Sequence, residues 1–359
     1  MKKYNLFLTI TYLLFFVFII FILPGICSDS NISLVWDRVF GGKNNDYATS
    51  LIQTTDGGYA VAGTTYSYGA GGRDFWVIKL DNEGNKVWDK TYGGSKCDCA
   101  ESLIQTTDGG YAVAGGTYSH GAGNGDFLII KLDSDGNKIW DKTYGGSDLD
   151  YAASLIQTTD GGYAVVGETC SFGAGGRDLW VVKLDNQGNR EWDKTLGTVK
   201  YDYANTLIQT TDGGYAVAGG TESYSAGSAD FWVIKLDNQG NREWEKTFGG
   251  SDWDMAYSLI QTKDGGYAVA GGIFSYGEEE GDFWVIKLDI NGKKVWDKTF
   301  GGSRFDMATV IIQAKDGGYA VAGITKSFGA GGKDFWIIKL SNNGKKIWDK
   351  TFGESTDDS

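Results

Sequence analysis

The chain repeats itself with a period of 52 residues, and that period constrains its fold more than any other feature. The tryptophan of a "WDK"-like phrase stands at Trp36, Trp88, Trp140, Trp192, Trp244, Trp296 and Trp348, always 52 apart. A "DGGYA" phrase begins at Asp56, Asp108, Asp160, Asp212, Asp264 and Asp316, at the same interval. No insertion or deletion interrupts six successive units, so linkers and a second domain are absent between residues 34 and 353. A fixed period of this length marks an array in which each unit buries its apolar face against the next.

Each unit reads as four short strands. In the first, Ala48 to Thr54 is followed by the turn Asp56-Gly57-Gly58, and Tyr59 to Gly63 by a Gly-rich loop. Asp74 to Leu80 is followed by the turn Asp81 to Asn85, and then by Lys86 to Tyr92. Glycine supplies the positive φ that tight hairpin turns require. Gly makes up 55 of 359 residues without a three-residue period, which excludes collagen and argues against helix. Four strands per repeat of this length predict an all-β, six-bladed β-propeller. The blades fall at about 46–92, 98–144, 150–196, 202–248, 254–300 and 306–352, with a short acidic tail at 354–359. A seventh copy of the fourth strand, Leu34 to Phe40, has no strands 1–3 of its own, and the reading makes it an extra N-terminal strand. An open β-solenoid is the rival architecture, with coils usually shorter than these.

Residues 1–27 stand apart. Lys2 and Lys3 precede an apolar run from Leu6 to Leu23, ended by Pro24. This reads as a secretory signal cleaved near Cys27, or as an uncleaved anchor contacting the membrane through residues 6–23. Either reading puts the folded part outside the cytoplasm, secreted or at the cell surface. Beyond it remain Cys97, Cys99 and Cys170, an odd number and no disulfide framework. A bridge from Cys170 to Cys97 or Cys99 is one reading of them.

The phrase "KLDNEGNKVW" (Lys79 to Trp88) recurs in each unit and resembles the tryptophan-docking motif of quinoprotein-like (PQQ-like) propellers. The whole unit is similar to the repeats of secreted, cell-surface propeller proteins of archaea and bacteria. The resemblance implies that Trp88, Trp140, Trp192, Trp244, Trp296 and Trp348 pack against neighbouring blades. It implies no catalysis here, because the chain has fewer blades than the quinoprotein enzymes and lacks matching site residues.

The longer connections, strand 2 to 3 and strand 4 to 1, share one face, where a rigid scaffold concentrates function. Asp46, Asp98, Asp150, Asp202, Asp254 and Asp306 recur there, as do Asp74, Asp126, Asp178, Asp230, Asp282 and Asp334. The first set reads either as a carboxylate ring holding a cation such as Ca²⁺ at the channel mouth, or as caps on loop backbone. In the 2-to-3 loops an aromatic or histidine follows a repeated serine: Tyr68, His120, Phe172, Tyr224, Tyr276 and Phe328. These read either as a surface for protein or glycan, or as rings folded back on the blade. The formal charge of −13 has the wrong sign for nucleic acid. A single histidine, His120, leaves no Ser-His-Asp triad beyond what one imidazole permits.

The expected function is a non-enzymatic binding or scaffold module acting through the loop-rich face. The alternatives are a carboxylate-based polysaccharide hydrolase or lyase at the channel mouth, and a purely structural surface protein. Near-perfect sixfold repetition argues against a single active site.

Overall fold

The computed structural model describes residues 36–275 and 280–353. These form 24 strands and no helix, arranged as six four-stranded antiparallel sheets in a ring, a six-bladed β-propeller. Blade 1 consists of β1 (Asp46–Gln53), β2 (Tyr59–Thr65), β3 (Asp74–Leu80) and β4 (Lys86–Tyr92), paired in that order. Blade 6 runs from β21 (Asp306–Gln313) through β22 (Tyr319–Thr325) and β23 (Asp334–Leu340) to β24 (Lys346–Phe352). Residues 1–35, 276–279 and 354–359 lie outside the described residues. The signal or anchor, the acidic tail and Tyr276 fall there.

Burial follows from position in the blade. All seven residues of β3 are buried, because a middle strand is covered on both faces, here by blade 2 on one side and by Trp36 and Phe40 on the other. The outermost strand β4 is only half-covered and places charged residues in solvent. The buried ammonium of Lys79 ties β3 to the preceding turn: it donates to the Leu80 carbonyl at 2.8 Å and pairs with Asp56 at 2.8 Å. A buried cation is tolerable only with such partners.

Successive blades interlock by small residues against large ones. Ala60, Ala62, Phe75 and Val77 on the front of blade 1 pack on Leu103, Tyr111, Val113 and Ile130 on the back of blade 2. Innermost strands of adjacent blades lie against each other, whereas outermost strands diverge. The divergence is filled by tryptophan. Trp88 meets Tyr111 of blade 2 edge-on, with ring centroids 5.7 Å apart, and its indole covers Gly136. The same packing joins Trp140 to Tyr163, Trp192 to Tyr215, Trp244 to Tyr267 and Trp296 to Tyr319.

The seam between blades 6 and 1 is different. The segment Trp36–Phe40 belongs to no sheet, which corrects the expectation of an added strand over its described part; Leu34 and Val35 lie outside the described residues. Its side chains nevertheless pack as a fourth strand's would. Trp36 and Phe40 cover Tyr59, Trp76, Ile78 and Leu80 on the back of blade 1. No strand of blade 6 lies against blade 1 as blades 1–5 lie against their successors.

Candidate functional site

The two longer connections meet on one face, the 2-to-3 loops of blades 1 to 5 each bonding the 4-to-1 loop that leads into the following blade. In the seam after blade 1, Arg73 and Cys97 form a parallel bridge, and the Asp98 amide donates to the Arg73 carbonyl at 2.7 Å.

The Asp46 set does not form an open ring. Asp98, Asp150, Asp202, Asp254 and Asp306 are buried, and each carboxylate is used inside its own blade. Asp46 shows the pattern: Oδ1 accepts from the Thr65 hydroxyl at 2.5 Å, and Oδ2 accepts from the Gly42 amide and the Ser67 hydroxyl, both at 2.7 Å. These bonds fasten the 4-to-1 loop to the start of the 2-to-3 loop, the task of a loop cap. Among the described residues no three His, Cys, Asp or Glu side chains converge as metal ligands.

In the Asp74 set, Asp74, Asp126, Asp178, Asp230 and Asp334 are buried and Asp282 is half-buried. Asp74 Oδ2 accepts from the Ala70 amide at 2.9 Å. Gly93 is wedged between this carboxyl and that of Asp98, so that a Cβ there would strike both. Burial pushes the Asp74 carboxyl above its ordinary value, and the nearby Asp98 carboxylate adds to the rise. Neither set supplies the solvent-open carboxylate pair that a glycosidase needs.

Four of the loop aromatics fold back. Tyr68 tilts against Trp76 with ring centroids 5.3 Å apart, and its hydroxyl donates to the Gly41 carbonyl. Phe172, Tyr224 and Phe328 pack in the same way on Trp180, Trp232 and Trp336. Their outer edges remain in solvent, but packing on the blade is the role the structure shows. Cys97, Cys99 and Cys170 are all free thiols, which corrects the reading of a bridge between them.

The positions that break the repeat lie nearer the axis. Two residues before each loop aromatic stand Tyr66, Tyr118, Cys170, Glu222, Phe274 and Lys326. Their amides bond the residue before the innermost strand: Tyr66 to Asn45, Tyr118 to Cys97, Glu222 to Tyr201 and Lys326 to Phe305. Arg73 lies over the Tyr66 ring at 5.2 Å, and Lys326 lies over Phe305 at 5.9 Å. Tyr203 packs on Trp253 and Phe274 on Phe305. A half-buried ion pair joins Arg177 to Glu168 at 2.9 Å. The result is a rim of rings with interspersed charges, different on every blade.

Deeper in the channel, each innermost strand carries a β-bulge, and the extra residue varies: Thr49, Glu101, Ala153, Asn205, Tyr257 and Thr309. A bulge frees its residue from the ladder and re-aims the side chain. Thr49 donates to the Ala100 carbonyl of the next blade, and Asn205 to the Ala256 carbonyl. Glu101 accepts from the Tyr151 hydroxyl. Burial pushes its carboxyl up to about 7, against the lowering effect of that hydroxyl.

Comparison with known proteins adds the following. No family model matches the chain. It is 25 % identical over 276 residues to the regulatory protein FlaEY of Caulobacter vibrioides. That alignment takes 70 % of this chain and 26 % of the relative, so the chain spans about a quarter of the length of the protein it matches. Among solved structures, Sqt1 of Chaetomium thermophilum superposes with a TM-score of 0.50 at 13 % identity, over 85 % of this chain and 71 % of that one. The Pan2 WD40 domain of Neurospora crassa gives 0.46 at 10 % identity, over 76 % and 85 %. At 13 % identity the likeness to Sqt1 speaks for the fold alone.

The variation of the rim loops from unit to unit is visible in the sequence. That Tyr66, Tyr118, Glu222 and Lys326 are tied to the residue before the innermost strand is not, because the backbone bonds that place them join two loops distant in sequence.

Proposed function

We propose that this chain is a non-enzymatic binding module whose contact surface is the rim of the loop-rich face, and that its ligand is another protein. The single observation that carries the reading is the concentration of non-repeating side chains on that rim, on a scaffold that otherwise varies little. Aromatic and Arg residues dominate the energetics of protein interfaces, and the rim combines Tyr66, Tyr118, Tyr201 and Trp253 with Arg73 and Arg177. The relative is named a regulatory protein, which agrees with binding as the task. The apolar N-terminal run supports action outside the cytoplasm, as does the resemblance to secreted PQQ-like repeat proteins.

The test is a capture experiment on extracts of surface and secreted proteins, with a glycan array in parallel. The wild-type chain is compared with Tyr118→Ala and Trp253→Ala. Loss of a captured protein with an unchanged melting temperature supports the reading. Binding that survives both substitutions, or a ligand found only on the glycan array, overturns it.

A further inference from the structure

We propose that the cleft between blades 1 and 2 is a receptor for an indole ring presented by a ligand. The other blades show what the site is built to hold. The third residue of the third strand is a buried tryptophan in five blades: Trp76, Trp180, Trp232, Trp284 and Trp336. Each indole N–H donates to an acidic residue thirteen positions on. The distances are 3.1 Å to Asp89, 3.0 Å to Asp193, 3.1 Å to Glu245, 3.2 Å to Asp297 and 3.0 Å to Asp349. In four of these blades the ring lies under the loop aromatic at 4.8–5.4 Å. Trp180, Trp284 and Trp336 meet a phenylalanine of the preceding blade at 4.7–4.8 Å.

Blade 2 has Leu128 at this position. Beside it lies a cleft of about 180 Å³, lined by Tyr92, His120, Leu128, Ile130, Lys138 and Asp141 among others. The equivalent groove of blade 4, beside Tyr224 and Arg242, is not lined by Trp232 or Glu245, whereas this one reaches Leu128 and Asp141. The cleft is half-open, and Lys138 and Asp141 stand in its lining beside Leu128 and Ile130.

The groups that grip the indole in other blades have counterparts here. His120 takes the place of the loop aromatic, and Phe75 faces the site from blade 1 as part of the same apolar cluster as Leu128. Asp141 pairs through Oδ1 with Lys138 at 3.0 Å, just as Asp89 pairs with Lys86. The second oxygen, which takes the indole N–H elsewhere, has no protein partner among the described residues. Asp141 is 39 % exposed, so the cleft is open to an incoming ring.

His120 is the sole histidine, so its ring protons give one isolated NMR signal in the untagged chain. Titration with indole is expected to move that signal saturably, with a dissociation constant in the millimolar range. 1-Methylindole, which cannot donate, should bind about tenfold more weakly, the loss expected for one hydrogen bond to a charged acceptor. N-acetyltryptophanamide separates the sources: saturable binding assigns the site to a tryptophan side chain, and its failure beside indole binding assigns it to free indoles. Leu128→Trp should fill the cleft, raise the melting temperature by a few degrees and abolish the response. Asp141→Ala provides a second route, because it should erase the preference for indole over 1-methylindole. A His120 signal unmoved by indole overturns the proposal, as does an undiminished response in Leu128→Trp or an unchanged preference in Asp141→Ala.

Discussion

The indole of Trp36 lies over Gly84 and meets Tyr59 edge-on at 5.5 Å, in the position that Trp88 takes against Gly136 and Tyr111 one blade further on. The sequence thus holds seven tryptophans of this type and six Tyr/Gly acceptors. Trp36 occupies the acceptor on blade 1 that Trp348, on the last strand of blade 6, would need to close the ring in the same way. Two chemically equivalent groups therefore share one site. Trp36→Ala should cost less stability than Trp140→Ala, because Trp348 can move into the vacated acceptor and nothing can replace Trp140. Urea unfolding of both variants measures the difference. Equal losses would show that Trp348 does not take the place of Trp36.

Two kinds of turn glycine should respond differently to a methyl group. Gly109 has φ +82° and open space around its missing side chain, so Gly109→Ala carries only the left-handed penalty of about 1 kcal/mol. Gly136 has φ +77°, and a Cβ there would sit 2.9 Å from the Trp88 ring. Gly136→Ala must also push the indole off its seat, and about 3 kcal/mol is expected. Chemical denaturation of the two variants gives the ranking, and a Gly109→Ala loss as large as that of Gly136→Ala would refute it.

The turns on the opposite face set the acid limit. The Lys79 ammonium, with help from the Thr54 hydroxyl, holds the Asp56 carboxyl at about 2, against an ordinary 3.8. A carboxyl more acidic in the fold than in the unfolded chain adds stability above the unfolded value, and that stability is lost as pH falls through the folded one. Stability should therefore drop between pH 3.8 and about 2. Lys79→Met should flatten this part of the curve by one blade's share. Thermal melts across that interval test it, and an unchanged slope would contradict the assignment.

Glu101 acts in the opposite sense. Its carboxyl titrates near 7 in the fold, above the ordinary 4.5, so the neutral form is the one the channel favours. Its contribution is complete below the unfolded value and is lost as pH rises through about 7. Glu101→Gln keeps the shape without the charge. The melting temperatures of wild type and variant should coincide below about pH 4.5 and separate as pH rises from 4.5 to about 7, with the variant higher. Parallel curves across that range would show that Glu101 is not buried in this way.

The buried loop caps predict a null effect of metal. Asp98 is enclosed and accepts from the Thr117 and Ser119 hydroxyls and from the Gly94 amide. Asp98→Asn should destabilise by about 2 kcal/mol, because one amide cannot accept from all three donors. Excess Ca²⁺ or EDTA should leave the melting temperature of the wild type unchanged. A clear rise with Ca²⁺ would restore the carboxylate set as a cation site.

What the sequence determined alone was whatever depends on local chemistry repeated at a fixed period. The strands, the glycine turns and the number of blades follow from a pattern that each unit satisfies independently, so they could be read from one unit and multiplied. Tertiary structure decided which repeated residues face inward. The Asp46 set and the loop aromatics carry the residue types of a binding surface, yet the fold uses them to tie loops and cover tryptophans. Nothing in a spacing says whether a carboxylate points at solvent or at its neighbour's amides. The rim of Tyr66, Tyr118, Tyr201 and Trp253, and the cleft beside Leu128, exist only where side chains from different blades converge. That convergence is set by the angle between sheets, a property of the assembled ring and not of any single repeat.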